Sequence, residues 1–474
     1  MRKVKIVCTM GPSTAGVERL CELIAAGMDV ARLNFSHGTH ETHRQTFCDI
    51  RAAAEKMSKP IAILADLSGP KIRVDAMQDG AVQLDRGKSI VLTSTPVLGT
   101  SARISHSYAP LARDVRVGDP ILLDDGLLQL KVEAVAGDDV RCLIVDGGTL
   151  KDKKGINLPG TTLSTAALTD KDKADIAFGR ELGVDYFALS FVRRPEDLRA
   201  AKTLCGHIPV IAKIEKPEAV ERLEAILDAA DGVMVARGDL GVEAGHEKVP
   251  VIQKRILRAV MPRAIPAITA TQMLDSMVHN PRPTRAEVSD VANAVLDGTD
   301  AVMLSAETAV GDYPVEAVKT LAAVIKDVEA SAFSSEAIAT RTPVAALSFS
   351  HAIADAATEA AAQLRLAAIA VYTESGFSAT LMSAHRPAAT LAAFSRNVPV
   401  LNRLALYWGV QPLFGAWVKG VKGVVEQAEA SLLAHDFVKP GDDIAVTFGI
   451  VLDEEPFQTN VLKLWKVRPP RRRD

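Results

Sequence analysis

No stretch of this 474-residue chain approaches the roughly 18 consecutive apolar residues of a membrane-crossing helix, so no membrane span is expected. Cysteine is sparse and unpatterned: Cys8, Cys21, Cys48, Cys142 and Cys205 are odd in number, scattered and never arranged as CxxC. That argues against a disulfide framework or a zinc site and points to a reducing compartment. Neither sign of charge dominates. With 55 Lys+Arg against 58 Asp+Glu, a net charge of -3 gives no electrostatic case for nucleic acid or a membrane surface, and small ligands suit the chain better. The opening residues MRKVKIVCTMGPS enter a strand-like run without an apolar leader core, so the expected location is the cytoplasm. The arginines between Val467 and Asp474 read as a solvated end, with contact to an acidic partner as the alternative.

What is present is organised around residues 208–243. Two apolar runs, Pro209 to Ala212 and Gly232 to Ala236, flank a helical pattern with Val220, Leu223, Ile226 and Leu227 on one face. The runs end in Lys213-Ile214-Glu215 and Arg237-Gly238-Asp239, where buried parallel strands would emerge at their carboxyl ends. Two carboxylates and a lysine brought to one rim can hold a hard divalent cation beside an anionic substrate. Taken singly, each would be better explained as part of a surface ion pair.

The length suggests roughly three domains, and a hydrophobic content of 48% can fill them. Eight runs read as parallel strands: Val4 to Cys8, Val30 to Phe35, Ile61 to Asp66, Tyr186 to Ser190, Val210 to Lys213, Val233 to Ala236, Ala267 to Thr269 and Ala301 to Leu304. Helical stretches at Val17 to Ala26, Lys171 to Leu182, Lys248 to Val260 and Thr284 to Leu296 fall between them, which predicts an α/β fold built on a (β/α)₈ barrel. From about Lys71 to Leu158 the pattern changes to Gly/Asp turns and alternating strands without helical period. That interval is expected to be a small inserted β-barrel on the third βα loop, placed to act as a lid. The expected divisions are 1–70 and 159–335 for the barrel, 71–158 for the insert and 342–474 for a C-terminal open α/β domain. The last begins after Thr342-Pro343 with a helix over Ala345 to Gln363, continues with strands at Ala367 to Tyr372, Ala388 to Ala393 and Ile444 to Thr447, and has an edge strand over Asn460 to Val467.

Polar side chains recur where the barrel strands end. The second strand leads into Arg32, Asn34, Ser36 and His37, the third ends at Asp66, and the fifth and sixth bring Lys213, Glu215, Gly238 and Asp239. The seventh and eighth bring Thr271 and Ser305. Such repetition on one rim predicts a single polar site rather than scattered ion pairs.

The segments KIVCTMGPS, VARLNFSHG, DLSGPKIR, KKGINLPG, AKIEKPEAV, VMVARGDLGVE, ATQMLDSM, RPTRAEVSDVANAVLDGTDAVMLSAETAVGDYP and VYTESGFSA resemble the pyruvate kinase family in order and from end to end. The resemblance implies transfer of a phosphoryl group from phosphoenolpyruvate to ADP, giving pyruvate and ATP. It implies Mg²⁺, with Mn²⁺ as an alternative, on Glu215 and Asp239; Lys213 against the transferring phosphoryl and the enolate oxygen; and Arg32 as a fork for phosphate oxygens. Thr271 is expected in substrate binding and proton relay, with Ser305 beside it, and the Gly238 and Asp239 amides would meet the substrate carboxylate. Asn34, His37, Arg73, Lys154 and Asp124 or Asp125 are carried over to the nucleotide side. A homotetramer is implied by the same resemblance.

Two departures matter. Asn34, Ser36, Asp66 and the Leu67 carbonyl match a K⁺ pocket, yet Lys71 stands where many family members have Glu. Its ammonium is expected near Asp66 and the phosphates in place of K⁺, so K⁺ should not be required. In the C-terminal domain Thr373, Ser375, Gly376 and Ser378 form a hydroxyl-rich turn suited to an effector phosphate, with a plain helix cap as the alternative. Glu374 and the acidic run Asp453-Glu454-Glu455-Pro456 disfavour a bisphosphate, leaving AMP, a sugar monophosphate or no effector. A Mg²⁺-dependent barrel lyase would share the carboxylate pair but not need Arg32, Lys213 and a lid together. A non-catalytic sugar-phosphate sensor would not need to keep Lys213, Glu215, Asp239 and Thr271.

Overall fold

The computed structural model describes residues 1–161, 163–333, 348–416, 418, 420–450 and 458–469. Eight parallel strands, Lys5–Thr9, Val30–Asn34, Ala62–Asp66, Tyr186–Leu189, Val210–Ile214, Gly232–Ala236, Ala267–Ala270 and Ala301–Leu304, close into a barrel, the first pairing with the last through Lys5 opposite Ala301. Both faces of these short aliphatic runs are buried, which is why they read as continuous apolar stretches rather than alternating ones. Val7, Val30, Leu64, Tyr186, Ile211 and Met234 fill the interior, while Ile6, Leu33, Ile63, Phe187 and Val235 pack outward on the helices. Helix starts follow the capping code. Thr284 accepts from the Glu287 amide at the start of Arg285–Leu296, and Thr169 does the same with Asp172 at Asp170–Leu182.

The helical pattern across 220–227 is interrupted. Pro217–Glu221 and Leu223–Ala229 are separate helices, broken at Arg222 (φ -103, ψ 22), a kink that apolar spacing does not encode. Directly after the sixth strand the chain forms a further helix, Arg237–Ala244, so the Arg-Gly-Asp turn is a first helical turn rather than a loop.

The insert leaves the rim after Asp66 and has its own core, including Ile90, Leu92, Ile121, Leu130, Val140 and Ile144. It is a curled six-stranded sheet with a separate two-stranded ladder. Its longest hairpin joins Leu128–Ala136 to Asp139–Asp146 through the two-residue turn Gly137-Asp138, with Gly137 at φ +57 as such a turn requires. One short helix, Leu111–Asp114, and a 3₁₀ turn at Gln78–Gly80 interrupt the strands.

The C-terminal domain is a five-stranded sheet in the order Val410–Phe414, Thr390–Ser395, Ala368–Tyr372, Asp443–Phe448, Val461–Lys466, the last antiparallel. Val410–Phe414 is a strand beyond those expected from the sequence, and its Pro412 is tolerated because the strand lies at the sheet edge. The first helix of the domain is described from Phe349 to Leu364; Thr342-Pro343, the helix start expected at Ala345, the acidic run 453–456 and most of the basic tail lie outside the described residues.

This domain abuts the barrel floor, opposite the rim. Lys5 Nζ donates to the Val410 carbonyl at 2.6 Å, Tyr186 OH to the Arg403 carbonyl at 2.9 Å, and buried Arg386 pairs with Asp300 at 2.8 Å. At the same floor Asp29 is held by Arg2 and by Lys59 (2.9 Å) and accepts from the Ile6 amide. Burial alone would raise its pKa, but Arg2, Lys59 and Lys5 outweigh that and hold the carboxyl well below the usual range. A depressed folded value means stability that is complete above the unfolded pKa of about 3.9 and lost as pH falls toward the folded one. Asp29→Asn should therefore cost about 3–5 kcal/mol at neutral pH, as for breaking a buried ion pair. Urea unfolding should show the gap narrowing below about pH 4; equal stability of the two proteins at pH 7 would contradict this account.

Candidate active site at the barrel rim

The strand ends bring six polar side chains into one buried cluster. Lys213 Nζ lies 2.9 Å from Glu215 Oε1, 3.2 Å from Asp66 Oδ1 and 2.8 Å from Ser190 Oγ. Arg32 donates through Nε to Asp66 Oδ2 (2.7 Å) and through Nη1 to Thr9 Oγ1 (3.0 Å). Glu215 Oε2 accepts from the Phe191 amide at 2.7 Å. Desolvation would lower the Lys213 pKa, but Asp66 and Glu215 overcome it and raise the value, so this lysine stays charged. For Asp66 the contest ends in the other direction: Lys213 and Arg32 outweigh burial and depress it. Glu215 is raised, first by burial and further by the negative charge of Asp239, against the pull of Lys213.

Asp239 stands in the first turn of helix Arg237–Ala244, partly exposed, with no hydrogen bond or ion pair among the described residues. Glu215 Oε1 is buried without a well-aligned hydrogen bond. Two hard carboxylates within electrostatic reach of each other, Asp239 unpartnered and Glu215 with only the Lys213 ammonium beside its Oε1, fit a Mg²⁺-type cation that takes few protein ligands and completes its octahedron with substrate and water oxygens. Among the described residues no cluster of three or more His, Cys, Asp or Glu side chains competes as a metal site.

Thr271 sits just past the seventh strand at φ +72, and Gln272 follows at φ +52, left-handed backbone that a β-branched residue adopts only under constraint. Arg237 supplies the constraint. Its Nη2 donates to the Thr271 carbonyl (2.7 Å), its Nε to that of Ala270 (3.2 Å), and its Nη1 is anchored on Asp290 (2.8 Å). The Thr271 hydroxyl accepts from the Gly238 amide at 2.8 Å, so threonine and glycine are brought together and the amide expected for a substrate carboxylate is engaged by Thr271. Ser305 is held through its amide by Glu307, whose other carboxylate oxygen accepts from the Leu274 amide. One buried glutamate thus ties the seventh and eighth strand ends together.

Among the residues expected to meet the nucleotide, the His37 pKa is lowered by burial and by the charges of Arg73, Lys71 and Arg32, which places these groups within electrostatic reach of His37. Arg73 Nη1 donates to the Lys153 carbonyl (2.8 Å) and Lys154 pairs with Asp124 at 2.8 Å. Asp124 and Asp125 form a tight turn with positive φ that approaches helix Arg237–Ala244, so that a Cβ added at Gly126 would lie 3.8 Å from Val242 Cγ1.

The expected contact of Lys71 with Asp66 is not made. Lys71 is exposed, and Asp66 is balanced by Arg32 and Lys213 instead. Only four residues lie between them in sequence, but the chain turns away through Gly69 (φ +64) and Pro70 into the insert. Around the expected K⁺ pocket, Asn34 Oδ1 accepts from the Ser36 amide and the Leu67 carbonyl from Ser190 Oγ (2.6 Å).

In the C-terminal domain the hydroxyls of the expected effector turn are engaged locally. Thr373 Oγ1 accepts from the Gly376 amide, Ser375 Oγ from the Phe377 amide, and buried Ser378 meets Thr459. Beside the turn lies a cavity of about 440 Å³ between Tyr372, Phe394, Arg396, Val421, Val424 and Phe448, which no pattern in the sequence foretells. Thr9, Ser190, Arg237 and Glu307 were also missed. Thr9, Ser190 and Arg237 had a signal, since they end or directly follow the first, fourth and sixth strands; Glu307 acts on backbone groups and had none.

A closed parallel barrel with a charged lysine and an arginine among carboxylates at its strand ends, and a cation-ready carboxylate pair beside them, defines an enzyme class that handles anionic substrates with a divalent metal. Residues 1–318 match the family model described as pyruvate kinase, barrel domain, and residues 351–465 that described as pyruvate kinase, alpha/beta domain. The chain is 45% identical over 471 residues to the pyruvate kinase of Geobacillus stearothermophilus, 98% of this chain and 80% of that protein. It is 44% identical to those of Bacillus licheniformis and Staphylococcus aureus, over 98% of this chain and 81% and 80% of theirs. The chain belongs to the pyruvate kinase family.

Proposed function

We propose that this protein is a phosphotransferase that moves the phosphoryl group of phosphoenolpyruvate to ADP, yielding pyruvate and ATP, the closing step of glycolysis. The observation that carries the proposal is Lys213, buried, charged and set between Asp66, Glu215 and Ser190 at the strand ends. Phosphoryl transfer asks for positioning and charge neutralisation, and this ammonium is fixed where negative charge develops on the enolate oxygen. Arg32, two of whose nitrogens are already oriented by Asp66 and Thr9, keeps Nη2 for phosphate oxygens. A bound Mg²⁺ or Mn²⁺ at Glu215 and Asp239 would supply further neutralisation of phosphate charge. Thr271, held in place by Arg237, is the hydroxyl assigned to substrate binding and to the proton relay toward the enolate carbon, with Ser305 beside it. His37, Arg73, Lys154, Asn34 and Asp125 are assigned to the nucleotide, and residues 71–158 to a lid that brings Arg73, Lys154 and Asp125 toward it.

The proposal extends to the monovalent ion. Lys71 lies outside contact with Asp66 but within electrostatic reach of His37 at the same rim, and with Arg32 and Lys213 it keeps this side of the site cationic without K⁺. The C-terminal cavity and its neighbouring turn are assigned to AMP or a sugar monophosphate, and the working enzyme to a cytoplasmic homotetramer. A coupled assay with phosphoenolpyruvate, ADP and Mg²⁺ tests the first two readings together. Pyruvate should form at rates that KCl changes little; a rate that collapses in potassium- and sodium-free buffer and returns with KCl would remove the K⁺ reading. No pyruvate under either condition would remove the activity.

A further inference from the structure

Behind the two carboxylates assigned to the metal lies a second buried charge pair that the reaction does not use directly. Lys216 Nζ donates to Glu243 Oε1 at 2.6 Å, with side chains only 6% and 1% exposed. The two residues are neighbours of the metal carboxylates in a specific sense. Lys216 follows Glu215 at the mouth of the fifth strand, and Glu243 stands four residues after Asp239, on the same face of helix Arg237–Ala244. A third group arrives from the insert: Asn157 Nδ2, on its returning strand Ile156–Asn157, donates to the same Glu243 oxygen at 2.9 Å. The other oxygen, Oε2, is buried with no hydrogen-bond partner, and Glu243 lines a cavity of about 20 Å³ with Lys71, Asn157, Phe191, Lys216 and Asp239. That is room for about one water.

We propose that Lys216 and Glu243 are positioning residues that clamp Glu215 and Asp239 at the spacing a divalent cation needs, and that Asn157 fastens the lid's return strand to the same clamp. The inference rests on the assignment of Glu215 and Asp239 to the metal. The physical reason is the cost of the arrangement. Two like-charged carboxylates on separate strand ends repel each other and would spread, while an ion pair one step behind each of them opposes that spreading. As a stabilising device the pair is a poor choice, because desolvating both charges offsets most of their attraction and packed apolar residues of similar volume serve as well. Its value lies in geometry, as for the outer partners that orient metal ligands in general.

The weak stabilisation supplies the test. Lys216→Met alone leaves Glu243 buried and unpaired, so both the melting temperature and affinity for Mn²⁺ should fall. The double variant Lys216→Met with Glu243→Leu removes both charges, and its melting temperature should recover toward wild type. Mn²⁺ affinity, measured on the free enzyme by electron paramagnetic resonance without substrates, should remain about 10- to 100-fold weaker. If affinity recovers along with the melting temperature, or if neither variant alters it, the pair is structural only and the proposal fails. Asp239→Asn is run alongside: Mn²⁺ binding as tight as wild type in that variant would show that the metal site itself is misassigned, and the clamp would fall with it.

Discussion

Replacing Lys213 with methionine is expected to lower kcat for phosphoryl transfer by about three orders of magnitude, the scale on which a preorganised charge at a developing oxyanion acts. Methionine has nearly the length of lysine and no charge, so the change removes the ammonium and little else. In the protein, that ammonium faces Asp66, Glu215 and Ser190 and is held protonated by the two carboxylates. Without it Asp66 retains Arg32, and Glu215, whose pKa is already raised, can take up a proton rather than remain an isolated buried charge. The fold should therefore survive with a lowered melting temperature, and far-ultraviolet dichroism should be unchanged. Because the charge matters most where the enolate forms, the loss should fall on kcat more than on KM. Turnover within about tenfold of wild type in a folded variant would refute the role given to Lys213.

The second large effect concerns Glu215. Changing it to glutamine preserves shape and the acceptor for the Phe191 amide but replaces a hard anionic donor with a neutral one. Mn²⁺ affinity in the free enzyme should weaken more than the about 100-fold typical of losing an outer partner, and turnover should drop to background at ordinary Mg²⁺. The apo fold should hardly change, since Lys213 keeps Asp66 and one source of carboxylate repulsion beside Asp239 is gone. Normal Mn²⁺ binding by this variant would move the metal elsewhere.

The barrel was legible because its strands are short apolar runs buried on both faces, and because the residues that end them are polar in a region where polarity is costly. Lys213, Glu215 and Asp239 were legible for the same reason, each standing at the end of such a run or just past it. What failed was whatever depends on backbone direction. Gly69 and Pro70 carry Lys71 away from Asp66, the kink at Arg222 divides one apolar face into two helices, and the positive φ of Thr271 leaves no mark in composition. The strand Val410–Phe414 was not expected, and its Pro412, a residue that forbids an interior strand, is permitted at an edge, which is a property of the assembled sheet. Ser190 and Thr9 show that the rule of reading strand ends was sound but incompletely applied, as both end strands and both touch the central cluster.

The left-handed turn at Thr271 and Gln272 has a consequence for engineering. Such backbone costs on the order of 1–3 kcal/mol per residue, in molecules whose whole margin against unfolding is about 5–15 kcal/mol. On the role proposed for Thr271, heat tolerance and turnover are therefore set against each other at one short turn. Selection for thermal endurance alone would favour glycine at 271, which adopts this backbone without strain, and would discard the hydroxyl that meets Gly238. A thermostable form that keeps its chemistry has to gain its margin elsewhere, at positions far from Arg237 and the turn it holds.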